Sequence, residues 1–244
     1  MKYLFTLIVA FALSPTPWEC PSYQEDENKY YVVHSGFSLL YDERYEQARW
    51  VAYELNENEV KGGFERTNKF LEDPLVPTGS AEGTDYKSSG YDRGHLAPAA
   101  DMGYSEKTMA ESFYYSNMSP QTPSFNRGVW KRLEEQVRDW ALQYHQVFVV
   151  TGPVLQPNLP TIGLNKVAVP NYYYKVILDT SSQHRQMISF ILPNEGSSAS
   201  LKSFVVSTDS LENLTKINFY PKLKEEIEHK LESKSNIQTW KWNE

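Results

Sequence analysis

Hydrophobic and polar positions follow strand-like and helix-like periods in turn along the chain. Tyr31-Val32-Val33-His34 and Phe37 to Tyr41 are short β-type runs around Ser35-Gly36, and Arg49 to Leu55 continues with residues that favour strands. Asn56 to Gly63 reads as a loop. Residues 64–90 are weakly patterned, because Pro74, Pro77, Gly79, Gly83 and Gly90 interrupt any regular element. A long irregular stretch inside one domain is often functional. Residues 104–116 predict a helix, followed by a loop over Asn117 to Pro123. The clearest helical period starts near Ser124 and runs to about His145, where Trp130, Leu133, Val137, Trp140, Ala141 and Tyr144 recur at spacings of three and four. Gln146 to Thr151 reads as a buried strand ending at Gly152-Pro153. Tyr172 to Leu178 and Gln186 to Leu192 predict two more strands, paired through a turn near Ser181-Ser182. Phe204 to Leu223 is mixed, and residues 224–234 are charged and helix-prone. Without repeats, low-complexity blocks or a strong linker, the pattern predicts a single α+β domain.

Composition adds bounds to that picture. The chain has 244 residues, enough for one large domain with a good core, and 17 Tyr, 11 Phe and 6 Trp fit a folded protein. A net charge of −7 argues against a broad basic surface that coats nucleic acid, but leaves room for a local basic cleft. At the N-terminus, Lys2 precedes an apolar run from Tyr3 to Leu13, and Ala10-Phe11-Ala12 offers an A-x-A-like cleavage site. This reads as an export signal over residues 1–20, with a flexible leader over 21–29 and the folded domain over 30–244. A buried N-terminal strand or helix is the competing reading. The run is too short to span a bilayer, so no membrane span is expected and the destination is extracellular or periplasmic. Cys20 is the sole cysteine, so the domain has no internal disulfide. It could carry a lipid, although Pro17-Trp18-Glu19 is a poor leader for that.

Candidate chemistry gathers in two places. In Tyr91-Asp92-Arg93-Gly94-His95-Leu96-Ala97-Pro98, a strand would put Arg93 and His95 on one face. An arginine grips phosphate with a two-bond fork, and a neutral histidine beside it can take a proton from water near pH 7. Alone, the pair also reads as a surface arginine beside a core histidine. On the long predicted helix, Asn126 falls on the buried stripe and Glu134 at its edge, about 12 Å apart along the axis. Hydrated Mg²⁺ would satisfy such oxygen donors, with Asn126 binding through its carbonyl oxygen and Glu134 through a water. Alone, these two also read as a helix-capping amide and a salt-bridging glutamate.

Taken in order, these elements resemble the DNA/RNA non-specific endonuclease family, the endonuclease G-like ββα-metal nucleases. The resemblance is carried by Asp92-Arg93-Gly94-His95-Leu96-Ala97-Pro98-Ala99-Ala100-Asp101, by Ser116-Asn117-Met118-Ser119-Pro120-Gln121, by Phe125-Asn126-Arg127-Gly128-Val129-Trp130 and by Leu133-Glu134. Trp50-Val51-Ala52-Tyr53, Thr151-Gly152-Pro153 and Phe219-Tyr220-Pro221 extend it over roughly residues 30 to 223. It implies a central, mainly antiparallel sheet flanked by helices and a ββα-metal motif. By the same resemblance His95 is the general base, Arg93 contacts phosphate, Asn126 is the sole direct metal ligand, Glu134 holds a metal-bound water and Asn117 supports the site. Arg66, ahead of Asp73-Pro74, matches a substrate-contacting arginine, with Lys69 as its substitute. The implied cofactor is Mg²⁺, or Mn²⁺ or another divalent cation. The implied substrates are DNA and RNA, cut to 5′-phosphate and 3′-hydroxyl ends, and a homodimer is compatible with the pattern. His34, His145, His184 and His229 have no partner at metal-ligand spacing and read as structural or solvated. The rival expectation is a nucleic-acid-binding protein on the same fold without catalysis.

Overall fold

The computed structural model describes residues 20–181, 185–235 and 237–243. Most of the expected export signal, with its Ala10-Phe11-Ala12 site, lies outside the described residues, as do Ser182 and His184. Among the described residues eleven strands are numbered in chain order: β1 Tyr31–Val33, β2 Ser38–Asp42, β3 Gln47–Asn56, β4 Asp92–His95, β5 Met118–Gln121, β6 Gln146–Pro153, β7 Thr161–Ile162, β8 Val167–Ala168, β9 Tyr172–Asp179, β10 Gln186–Pro193 and β11 Val205–Val206. Seven of them form one sheet in the order β1-β2-β3-β6-β9-β10-β11, with every neighbouring pair antiparallel. The α-helices are α1 Glu57–Val60, α2 Gly83–Tyr86, α3 Glu106–Glu111, α4 Lys131–Tyr144, α5 Thr208–Thr215 and α6 Glu225–Glu232.

The sheet is covered on both faces, which is why its central strands are apolar almost throughout rather than every second residue. Side chains of a strand point alternately to opposite faces. In β3, Val51, Tyr53 and Leu55 enter one core while Trp50 and Ala52 enter the other. β6 divides in the same way, with Val147 and Val149 on one side and Phe148 and Val150 on the other. α4 seals the first face with Leu133, Val137, Trp140 and Ala141, the stripe its period predicts. The C-terminal segment packs on the outside of that helix: Trp240 lies 4.5 Å and Trp242 5.2 Å from the Trp140 ring. Leu211 of α5, Leu231 of α6, Phe219 and Tyr220 close the second face. Tyr220 donates its hydroxyl to the Phe148 carbonyl at 2.8 Å, tying the Phe219-Tyr220-Pro221 landmark to the middle of the sheet.

Several expectations about elements change, among them the loop expected over Asn117 to Pro123, which contains β5. The segment over 21–29 is not a flexible leader: Ser22 bonds the Asn218 carbonyl, Tyr23 stacks on Tyr31 at 5.0 Å, Glu25–Tyr30 form a 3-10 turn and Glu27 pairs with Arg49. Cys20 is buried in the second core with its thiol 3.5 Å from the Tyr31 hydroxyl. The expected loop over Asn56–Gly63 opens with a capped helical turn, because Asn56 and Glu59 satisfy each other's backbone N–H groups. The helix expected over 104–116 is only the six residues of α3, followed by a 3-10 turn over Tyr115–Asn117. Among the described residues no helix is long and apolar enough to cross a membrane.

Candidate active site

β4 and β5 form a separate antiparallel ribbon, with Arg93 opposite Pro120 and His95 opposite Met118. A Cβ at Gly94 would come within 2.2 Å of the buried Gln121 side chain, which would have to shift. The ribbon is pinned to the main sheet through buried polar groups. The Ser119 hydroxyl meets Gln47 at 2.5 Å and the Tyr173 hydroxyl at 2.6 Å, and Tyr173 also donates to the Pro120 carbonyl. Asn194 spans the ribbon's end, donating to Pro120 and accepting from the Thr122 backbone.

After the ribbon the chain turns back over Phe125–Trp130 in a wide, π-type turn that breaks at Gly128, whose φ and ψ are −111° and −109°. The single continuous helix expected from Ser124 to His145 is therefore two pieces, and the helical phase linking Asn126 to Glu134 does not run through. Asn126 instead comes from the turn and Glu134 from the first turn of α4. Ribbon, turn and helix together make a ββα unit.

Arg66, Arg93, His95, Asn126 and Glu134 all line one cleft of about 410 Å³. Five basic residues and one acidic residue border it: Arg66, Arg93, Arg127, Lys131 and Arg138 against Glu134. The site is locally basic on a chain of net charge −7. A second hollow of about 560 Å³ shares Arg66, Arg93, Asn126 and Arg127 and continues past Tyr91 and Lys87, so the two form one groove.

His95 closes β4 with its ring edge-on to Phe113 at 4.8 Å, and its buried Nε2 has no hydrogen-bond partner. Burial, with Arg66 and Arg93 nearby, holds the imidazole down at about 3, so it is neutral at pH 7. Arg93 lies over the Phe70 ring at 3.8 Å and reaches the Tyr115 hydroxyl at 3.4 Å. Arg66 lies over Phe113 at 4.8 Å. The irregular segment carrying it is anchored at Phe64 to Gly103, at Leu71 to Phe113 and Tyr115, and at Asp73 to the buried His34 at 2.9 Å and to Ser116. His34 is thus structural. His145, exposed at the end of α4, meets Glu57, and His229 lies exposed on α6. Lys69, the substitute for Arg66, does not line the cleft.

Asn126 donates its amide nitrogen to Asp92 Oδ2 at 2.9 Å, and Arg127 clamps the same carboxylate through two bonds at 2.9 and 2.7 Å. Among the described residues the amide oxygen of Asn126 has no hydrogen-bond partner on its wall of the cleft, and Glu134 accepts no hydrogen bond. Burial pushes its carboxyl up, and Asp101 adds to this, while Lys175, Arg138 and Arg66 oppose it. Lys175 is fully buried in β9, with Nζ 4.7 Å from the Trp130 ring. Below Glu134, Asp101 holds Arg138 and the Tyr53 hydroxyl, each at 2.8 Å. An orphaned amide oxygen and a free carboxylate are hard oxygen donors, a set that fits a divalent cation such as Mg²⁺.

Asn117 stands elsewhere. It is fully buried, outside the cleft lining. Its side chain accepts from the Ala97 N–H at 2.8 Å and donates to the carbonyls of Ala97 and Ser112, each at 2.9 Å. With its side-chain oxygen and nitrogen committed to backbone, Asn117 fixes the chain just after His95, which accords with a supporting part rather than a chemical one. Asp92, Asp101 and Lys175 were missed as site-supporting residues. The signal for Lys175 was a lone charge inside the apolar run Tyr172–Asp179.

The chain belongs to the DNA/RNA non-specific endonuclease family, whose profile matches residues 15–226. It is 38% identical to the mitochondrial nuclease EXOG of Danio rerio over 217 residues, 82% of this chain and 62% of that one. It is 35% identical to the mitochondrial endonuclease G of Homo sapiens over 202 residues, 77% of this chain and 68% of that protein. A nuclease of Nostoc sp. is 32% identical over 219 residues, 85% of this chain and 79% of that one. The chain spans about three-fifths of the length of the EXOG relatives. Among solved structures, EndoG in the EndoG/EndoGI complex superposes with a TM-score of 0.75 at 34% identity, covering 80% of this chain and 87% of that one.

Proposed function

We propose that this protein is a divalent-metal-dependent endonuclease that hydrolyses phosphodiester bonds of DNA and RNA, with Mg²⁺ as the working ion. The observation that carries this is the convergence of a neutral, unpartnered imidazole, two arginines and two free oxygen donors on one cleft. Asn126 and Glu134 would hold the ion, Asn126 through its amide oxygen and Glu134 through a bridging water. When bound, it supplies Lewis-acid stabilisation of charge on the phosphate and the departing oxygen.

The protein's own groups do the rest. His95 takes the proton from the attacking water; with its pKa held low it is already in the basic form, and substrate phosphate arriving beside it favours the protonated form that follows. Arg93 and Arg66 neutralise the non-bridging oxygens as negative charge builds, and their stacking on Phe70 and Phe113 fixes where those charges sit. Asp92 turns the Asn126 amide so that oxygen, not nitrogen, faces the cleft. Asn117 holds the backbone behind His95. Contacts to phosphate carry no direct base information, so sequence preference is weak, and both sugars and both strandedness states are accepted. Affinity falls as salt rises.

The apolar run after Lys2 supports export, which N-terminal sequencing of the mature protein in cell fractions would check. The function itself is tested by incubating purified protein with supercoiled plasmid and with RNA, in Mg²⁺ or in EDTA. Loss of both substrates only with metal is the expected result. A gel shift without cutting would instead make it a binding protein.

A further inference from the structure

Away from the cleft, three carboxylates meet where α5 and α6 pack together. Asp209 lies in the first turn of α5, Glu212 one turn later, and Glu232 is the last residue of α6. One oxygen from each falls within 4.8 Å of the other two. Glu232 is only 5% exposed, and its Oε1, shielded from solvent, accepts no hydrogen bond. A carboxylate at a helix C-terminus also faces the negative end of the helix dipole. Glu212 commits one oxygen to the Phe219 N–H at 2.7 Å, which holds its carboxylate in place. The charged groups acting on Glu232 are all carboxylates, those of Glu212, Glu228 and Asp209. Burial and the three neighbouring carboxylates push the Glu232 carboxyl up to about 8, so the cluster holds either a proton or a cation that displaces it.

We propose that Asp209, Glu212 and Glu232 form a second divalent-cation site, suited to a calcium-type ion, that fastens α6 to α5. Calcium binds oxygens at roughly 2.3–2.6 Å, so ligands on opposite sides of one ion lie up to about 5 Å apart. The three oxygens fit within that span. Magnesium demands a stricter octahedron and keeps most of its waters, and zinc favours nitrogen and sulfur, which this cluster lacks. The site is structural. The hydroxyl of Thr208, beside Asp209, meets Ser189 of β10 at 2.8 Å, so a cation here would tie the C-terminal helix through α5 to the sheet.

The test uses the full chain carrying Asn126→Ala, to remove cation binding in the cleft, after treatment with a chelator. Calcium chloride should raise its unfolding temperature, and calorimetric titration should give one ion per chain. Adding Glu232→Gln should abolish both effects. Without calcium, the Glu232→Gln chain should unfold at or above the temperature of its parent, because an acid that is costly to ionise beside three carboxylates has gone. The proposal is overturned if calcium at millimolar concentration leaves Asn126→Ala unchanged, the result expected if a proton alone occupies the cluster. It is equally overturned if calcium stabilises the chain to the same extent with and without Glu232→Gln.

Discussion

Removing the Asp92 carboxylate should cost the cleft its grip on a cation before it costs the fold. Asp92 accepts the Asn126 amide at 2.9 Å, and this bond keeps the amide oxygen toward the cleft. A hydrogen bond to a charged acceptor contributes roughly 1.5–3 kcal/mol. In Asp92→Ala the amide is free to rotate or flip, and that energy is withdrawn from the binding-ready orientation. At about 1.4 kcal/mol per tenfold change, the concentration of Mg²⁺ needed for half-maximal cleavage should rise roughly 10–100-fold. Arg127 grips the same carboxylate from an exposed position, so Arg127→Ala should move it much less. The assay is plasmid cleavage over a Mg²⁺ titration, with ion binding followed independently by calorimetry. Asp92→Ala should approach the wild-type rate at saturating Mg²⁺. An unchanged half-saturating concentration would refute the positioning role, and so would a rate that saturating metal cannot raise.

The pH dependence follows from His95. Burial and the two arginines hold its imidazole at about 3, against about 6.5 in an unfolded chain. Between those values the unfolded state binds the extra proton, so His95 withdraws stability as pH falls from 6.5 toward 3. The urea midpoint should drop more steeply over that window in wild type than in His95→Gln, and the acid limb of kcat/KM should lie below pH 6; a limb at 6.5 would contradict the burial argument. Asn117→Ala breaks three buried hydrogen bonds and strands the backbone of Ala97 and Ser112, at a cost of at least about 3 kcal/mol. Chemical denaturation checks this, and a loss under 1 kcal/mol would be inconsistent with it. Gly94→Ala drives a methyl into Gln121, for about 1–3 kcal/mol of overpacking, and shifts the ribbon that carries His95. Melting temperature and cleavage rate should fall together; if both hold, the close approach is not a constraint.

Much of this was legible because the physics is local. Leu133, Val137, Trp140 and Ala141 bury as their period requires, and the long strands fall where the apolar runs fall. The break at Gly128 was not legible, because the apolar period resumes beyond it and a lone glycine inside a helical pattern is often tolerated. The order in residues 20–30 is also set by tertiary contacts, with Tyr23 stacking on Tyr31 and Glu27 reaching Arg49, although the segment's own polarity suggests a free leader. In the site, His95, Arg93, Arg66, Asn126 and Glu134 do converge on one cleft. Asn117 does not, since spacing alone cannot tell a side chain that faces a cleft from one that hydrogen-bonds the backbone beneath it. Asp92 stood within the recognised motif, yet its part depends on two groups more than thirty residues later, which no local pattern encodes.

The account rests on His95 as the base that activates water. Its most direct test is single-turnover cleavage of duplex DNA in Mg²⁺ by wild type and His95→Ala, with binding of the same duplex measured in EDTA. The account predicts a rate loss of about 10²–10⁴-fold with binding within a few-fold of wild type. Cleavage by His95→Ala at the wild-type rate would contradict it.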